Sequence, residues 1–254
     1  MRTGTIFYIA ALVGISIIAS TTISGAVSTG EGDKGFAVVE LFTSEGCSSC
    51  PPADELISRI QRESSGKPVY ILAFHVDYWN RLGWKDQFSS AAFSQRQNKY
   101  AEWMKSSSVY TPQAVVNGNK EFVGADESTL RKAVGDGLNK AASSEVSLKN
   151  VKISRNRIVL EYHTGGVTAG TSLLLAVIQK AGVSKVLRGE NGGRTLSHVQ
   201  IVRNLQTIEL GQELNGSASL DFPSGINSDN LEVIAFIQRN NNGEIIAATK
   251  SAVN

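Results

Sequence analysis

Cys47-Ser48-Ser49-Cys50 is the segment whose residue types and spacing most directly imply chemistry. The 254-residue chain has two cysteines, and both lie here. Two intervening residues let both sulfurs share one helical turn at bridging distance. A short apolar run, residues 37–42, precedes the pair. Residues 54–62 follow, with Leu56, Ile57 and Ile60 at helical spacing. This setting predicts a Cys-x-x-Cys pair between a buried strand and a helix N-terminus, where unpaired N–H groups and the positive end of the dipole stabilise a thiolate. A free cysteine near pKa 8.5 is only about 3% thiolate at pH 7, and a drop to about 7 makes it half thiolate. Cys47 is then expected to be the more exposed, attacking sulfur, and Cys50 the one that resolves the mixed disulfide. Pro51 and Pro52 are tolerable in a first helical turn. A static disulfide is the alternative, although so short a loop gains little from cross-linking. A soft-metal site of two thiolates and His75 is a third reading, for which no fourth ligand is evident.

The elements that must position the pair also predict its neighbours. A second buried strand, residues 69–74, is expected to run parallel to the first through a right-handed crossover. The C-terminal ends of both strands then share one edge of the sheet. A hairpin strand starting near Ala114 would begin at that same edge, so Thr111 and Pro112 should approach the sulfurs. A cis bond there would turn the Thr111 backbone toward an extended substrate, whereas an ordinary trans turn proline would not. His75 can tune a thiolate, shuttle a proton or join a metal, or it is simply packed against backbone. Asp77 caps the following loop or pairs with a basic group. Tyr78, Trp79 and Trp84 line a peptide groove or cover the sheet. Glu40 is a charge within a buried strand. Near Cys50 it would accept a proton during exchange, and otherwise it is a hydrogen-bonded structural acid.

Composition bounds the rest. Hydrophobic residues are 41% and charged residues 19%, an ordinary globular mixture. A net charge of +2, with no Lys/Arg block, argues against a nucleic-acid partner. Arg2, an apolar run over residues 6–19 and the small residues Ser24-Gly25-Ala26 read as a secretory signal peptide, residues 1–26, and hence a periplasmic or secreted protein. No later segment has the length of a membrane span. Residues 36–142 alternate in the order β-α-β-α-β-β-α, with Asn117-Gly118 turning a hairpin. Residues 143–254 are strand-rich and read as a sandwich-like domain, with residues 197–205 open to either strand or helix. The glycine-rich stretch from Arg188 to Arg194 is a ligand loop, an interdomain loop or a plain surface turn. His198 and Arg203, just beyond it, are candidates to approach the redox edge.

Two resemblances follow from these motifs. Residues 36–142 resemble a thioredoxin-like domain, through Val38-Val39-Glu40-Leu41-Phe42, the Cys-x-x-Cys pair and Thr111-Pro112, where such folds place a cis proline. Over most of its length the chain resembles secreted bacterial proteins of the domain of unknown function 1223 family. The carrying stretches run from Glu40 to Asp54, His75 to Asn80, Tyr110 to Gly118 and Gly189 to Leu196. The resemblance implies an α/β thioredoxin-like domain followed by a mostly β sandwich-like domain, and it supplies no activity. The expected function is extracytoplasmic thiol–disulfide exchange on proteins or peptides. Cys47 and Cys50 are its catalytic pair, and Thr111, Pro112 and Trp79 contact substrate. Glu40, His75 and Asp77 tune the pair. No cofactor or nucleic acid is called for, and electrons come from an external partner. A non-catalytic binding module on the same scaffold and a thiol-based metal carrier are the alternatives.

Overall fold

The structure is a computed structural model, and it describes residues 1, 3–4, 35–212 and 214–254. The predicted signal peptide lies almost wholly outside the described residues. Among these residues no helix is long and apolar enough to cross a membrane. From Gly35 onward the described residues belong to one compact unit.

The first elements follow the predicted order: β1 (Ala37–Thr43), α1 (Pro51–Glu63), β2 (Val69–His75), α2 (Ala91–Met104), β3 (Gln113–Val116), β4 (Lys120–Val123) and α3 (Glu127–Leu138). Seven strands complete the chain: β5 (Glu145–Ser154), β6 (Arg157–Gly165), β7 (Thr171–Lys185), β8 (Thr195–Glu209), β9 (Asn215–Asp221), β10 (Leu231–Arg239) and β11 (Ile245–Ala252). The ambiguous residues 197–205 are strand, inside β8. Two helices start where side-chain caps exist. Ser90 accepts from the Ala92 N–H at the head of α2, and Asp126 accepts from the Thr129 N–H at the head of α3. Helix α1 has no side-chain cap, Cys50 occupies its N-cap position, and Pro51 and Pro52 bring no N–H.

The fold class differs from the expected one. Four strands of the second half join four of the first in a single mixed sheet, in the order β11-β10-β7-β8-β2-β1-β3-β4. The molecule is therefore mostly β around one large sheet, and not a thioredoxin-like α/β core followed by a β sandwich. Strand β1 runs parallel to β2 and antiparallel to β3. The junction of the two halves is narrow: β2 and β8 pair in parallel through Ala73 and Ile201. Among the described strands, β5, β6 and β9 stand apart as a three-stranded antiparallel sheet.

Burial explains the difference. In a sandwich each strand has one wet face, so apolar and polar residues alternate. The run Leu173 to Ile178 in β7 is instead apolar throughout. Leu173, Leu175 and Val177 pack toward the small sheet, and Leu174, Ala176 and Ile178 pack toward α2 and the first half. Strand β10 divides in the same way, with Leu231, Val233, Ala235 and Ile237 on one face and Ile234 and Phe236 on the other. Strands covered on both sides belong inside a layered sheet. The opposite end of the sheet holds α1 and α3 against Ala37, Val39 and Leu41 of β1.

Candidate functional site

Cys47 and Cys50 form a disulfide, with their Cα atoms 5.4 Å apart. The loop between β1 and α1 carries Cys47, and the N-cap of α1 carries Cys50. Cys47 Sγ lies 3.9 Å from the Thr111 carbonyl oxygen and 3.4 Å from Ser49 Oγ. The Thr111–Pro112 peptide is cis. Trp79 Nε1 donates to Thr111 Oγ1 at 2.8 Å, and Trp79 packs against Gly46, where an added Cβ would come within 3.1 Å of Trp79 Cβ. Among the expected site residues, the structure thus brings together Cys47, Cys50, Thr111, Pro112 and Trp79.

Exposure is the departure from expectation. Cys47 and Cys50 are equally and fully buried, while Ser48 and Ser49 between them are exposed. Cys47 is covered because the β7–β8 connection, residues 186–194, docks on its loop. The Asn191 side-chain amide donates to the carbonyl oxygens of Glu45 and Cys47, at 2.9 Å each. Arg194 holds Asn191 Oδ1 at 2.8 Å, and the Ser48 N–H donates to Glu190 Oε2 at 2.9 Å. The Ser48 hydroxyl and then this Ser48 N–H keep the exposed Glu190 carboxyl below its ordinary range. The glycine-rich stretch is therefore a docking loop on the cysteine segment. The two prolines also weaken one sequence argument: the dipole end of α1 remains, but the N–H donors that would face a thiolate are fewer.

Beneath the cysteine loop lies a buried ionisable cluster drawn from five segments. It contains Glu45 before the pair, Asp54 in the first turn of α1, His75 at the end of β2, Asp86 in the loop before α2, and His198 in β8. All five are buried. His75 Nδ1 and Asp86 Oδ2 are 2.7 Å apart. Burial opposes the His75 charge, but Asp86, Asp54 and Glu45 outweigh it and raise its pKa. Burial likewise opposes the Asp86 charge, yet His75 and the N–H groups of Glu45 and Phe88 hold its carboxyl below the ordinary range. Both shifts favour the ion-paired form. Burial pushes the Asp54 carboxyl the other way, up to about 7, against the pull of His75 and the Thr43 hydroxyl. Burial and then Asp86 raise Glu45, although Trp84 Nε1 donates to its Oε2 at 2.6 Å. Burial and the His75 charge depress His198 to about 3, so its imidazole is neutral.

The neutral His198 ring stands edge-to-face with His75, centroids 4.7 Å apart. Its Nδ1 lies 3.7 Å from Asp54 Oδ2 and its Nε2 lies 3.9 Å from Glu45 Oε1. Neither is a hydrogen bond at that length. Among the described residues, His198 Nδ1 and Nε2, Glu45 Oε1 and His75 Nε2 make no hydrogen bond of ordinary length, although the Ser184 hydroxyl also favours the Glu45 charge. Arg203, also on β8, stacks its guanidinium 5.3 Å above Phe88, which contacts both histidine rings. Among the described residues no group of three or more His, Cys, Asp or Glu side chains is arranged to hold a metal ion.

Two expected tuning residues lie elsewhere. Glu40 sits on the α2 side of β1, away from α1 and the pair. Arg96 of α2 clamps its carboxylate at 2.5 and 2.9 Å, and Tyr100 donates a short hydrogen bond to it. Gln238 of β10 closes that network, so Glu40 anchors three elements. Asp77 accepts from Ser94 Oγ at 2.5 Å, which ties the loop after β2 to α2. The residues missed by sequence reasoning are Glu45, Asp54, Asp86, Glu190 and Asn191. Asp54 had a legible signal: it follows Cys50 by four residues, on the same helix face. Asp86 and Asn191 come from loops whose docking is not a local property.

A family model described as a protein of unknown function (DUF1223) matches residues 38–238. A crystal structure of a protein from Agrobacterium tumefaciens is similar at 25% identity and a TM-score of 0.65, over 84% of this chain and 92% of that one. A domain of an outer membrane lipoprotein from Porphyromonas gingivalis reaches a TM-score of 0.27 at 13% identity, over 44% of this chain and 97% of that one, and carries no argument. No curated protein matches the chain. With the family model spanning most of its length, from near the start of β1 to near the end of β10, the chain belongs to the DUF1223 family.

Proposed function

We propose that this protein is a periplasmic or secreted thiol–disulfide oxidoreductase, or the redox partner of one, acting on proteins or peptides through Cys47 and Cys50. The observation that carries the reading is the disulfide at the head of α1 with Cys47 Sγ beside the Thr111 carbonyl. An extended peptide laid along Thr111 would have a backbone acceptor and a sulfur within one residue of each other. Exposed Leu82 and Leu187 flank the loop that carries Glu190 and offer apolar contact to such a chain. In this reaction a partner thiolate attacks Cys47, Cys50 leaves, and the partner's second thiol releases Cys47. The reading predicts that wild type catalyses disulfide exchange in a model protein and that Cys47→Ser abolishes it. Equal rates for the two proteins overturn it.

One observation favours a second reading, a non-catalytic binding module with a permanent bridge. Both cysteines are fully buried and a loop is latched over them. A disulfide that resists excess dithiol in the folded protein would favour this reading over exchange.

A further inference from the structure

The cluster beneath the cysteine loop holds five buried ionisable side chains. Buried polar groups are nearly always hydrogen-bonded, and each exception calls for an explanation. Among the described residues, four atoms of three side chains in this one place make no hydrogen bond. Three of them lie in a row. Asp54 shares the helix face of Cys50, with its backbone N–H bonded to the Cys50 carbonyl at 3.1 Å. His198 follows, turning Nδ1 to Asp54 and Nε2 to Glu45. Glu45 ends the row at Trp84, which is partly exposed. A neutral imidazole with a carboxyl group at each nitrogen can accept a proton at one nitrogen and release it from the other. Both gaps are within about 1 Å of hydrogen-bond length, so a small side-chain rotation closes either one.

We propose that the row Glu45–His198–Asp54 is the proton path of the disulfide, with Asp54 supplying the proton that the Cys50 sulfur takes up when the bond is reduced. The inference rests on the exchange reading above. Its chemistry balances as follows. A thiolate of an external dithiol bonds to Cys47 Sγ. The Cys47–Cys50 bond breaks, and its electron pair leaves on Cys50 Sγ. That sulfur takes the proton of Asp54. The partner's second thiolate then bonds to its own sulfur in the mixed disulfide and expels Cys47 as a thiolate, which is protonated from solvent. The dithiol is oxidised to a disulfide by two electrons, the Cys47–Cys50 bond is reduced by two, and the dithiol's two protons are matched by the two taken up. His198 and Glu45 then restore the Asp54 proton from the Trp84 edge.

The charged groups nearest the row are the His75–Asp86 pair and Arg203. Burial, and then the His75 imidazole beside Asp86, keep His198 neutral and able to relay. Arg203 stands behind Phe88. Burial places the Asp54 carboxyl near neutrality, at about 7, where a general acid is most effective.

The test is the rate of reduction of the folded full-length protein by dithiothreitol, normalised to dithiothreitol thiolate, as a function of pH. Wild type is expected to show an inflection near pH 7. Asp54→Asn should lose the inflection and be slowed roughly 100-fold at about pH 6, converging on wild type at about pH 9. Asp54→Glu should recover part of the rate. Should Asp54→Asn fail to fold, wild type alone still decides the matter: a solvent deuterium isotope effect is expected below the inflection and not above it. A flat wild-type profile, or an unchanged inflection in Asp54→Asn, overturns the proton path while leaving exchange intact. A wild-type disulfide that no dithiol reduces at any pH overturns the exchange reading itself.

Discussion

Asp54 and His75 make opposite contributions to charge and the same contribution to the pH dependence of stability. Asp54 folds with its carboxyl raised from 3.8 to about 7. The folded chain then holds a proton the unfolded chain has lost, and stability falls as pH rises between those values. Glu45, also raised, acts in the same sense. His75 is raised from 6.5 by its partner Asp86. Its contribution is complete below 6.5 and is lost as pH rises through the higher folded value. Asp86, lowered from 3.8, contributes above that value and fails only as pH falls through its folded one. His198, lowered from 6.5 to about 3, acts in the opposite sense but only below 6.5, so the expected outcome is a thermal midpoint higher at about pH 6.5 than at about pH 8. Asp54→Asn, neutral at both, should narrow that gap, and an unchanged gap would show that Asp54 folds ionised.

At the scale of elements, the strand that carries the cysteine loop also carries a lock on its other face. Glu40 and Arg96 are a buried pair, and Phe74, Tyr100 and Phe236 surround the guanidinium within 5.5 Å. Removing one partner leaves a buried charge uncompensated, so Arg96→Ala is expected to cost about 3–5 kcal/mol in chemical denaturation. The reactivity of the disulfide should be unchanged, because the pair belongs to the opposite face of β1. A variant that altered both would place Glu40 back among the tuning residues. These elements also mark what could be read in advance. The cysteine spacing, the buried first strand and Asn117-Gly118 identify the β1–α1 loop and the β3–β4 hairpin from local pattern alone. The unbroken apolar runs of β7 and β10 carried the evidence against a sandwich, since a strand with one wet face would have alternated. What no local pattern contains is that Asn191 reaches the cysteine loop and that His198 reaches Glu45 and Asp54. That depends on β8 pairing with β2 through one short stretch of contact.

At the scale of the molecule, residues 186–194 lie over the cysteine loop. Asn191 is buried and satisfies two carbonyl oxygens of the cysteine loop. Each such bond contributes about 1 kcal/mol net, so Asn191→Ala should raise the open fraction of the loop by about tenfold or more. The expected readouts are faster reduction of Cys47–Cys50 and new proteolysis between Leu187 and Gly193. Unchanged reduction would mean that the loop does not control entry. The β7–β8 hairpin has a further consequence, for biogenesis. Cys47 and the Asn191 amide that covers it are 144 residues apart, and His198 is farther still. A chain made from its N-terminus therefore presents both thiols long before their cover or their proton path exists. During that interval the pair is open to whatever oxidant or reductant it meets. The guarded, buried disulfide is a property that the protein acquires only when its second half has docked.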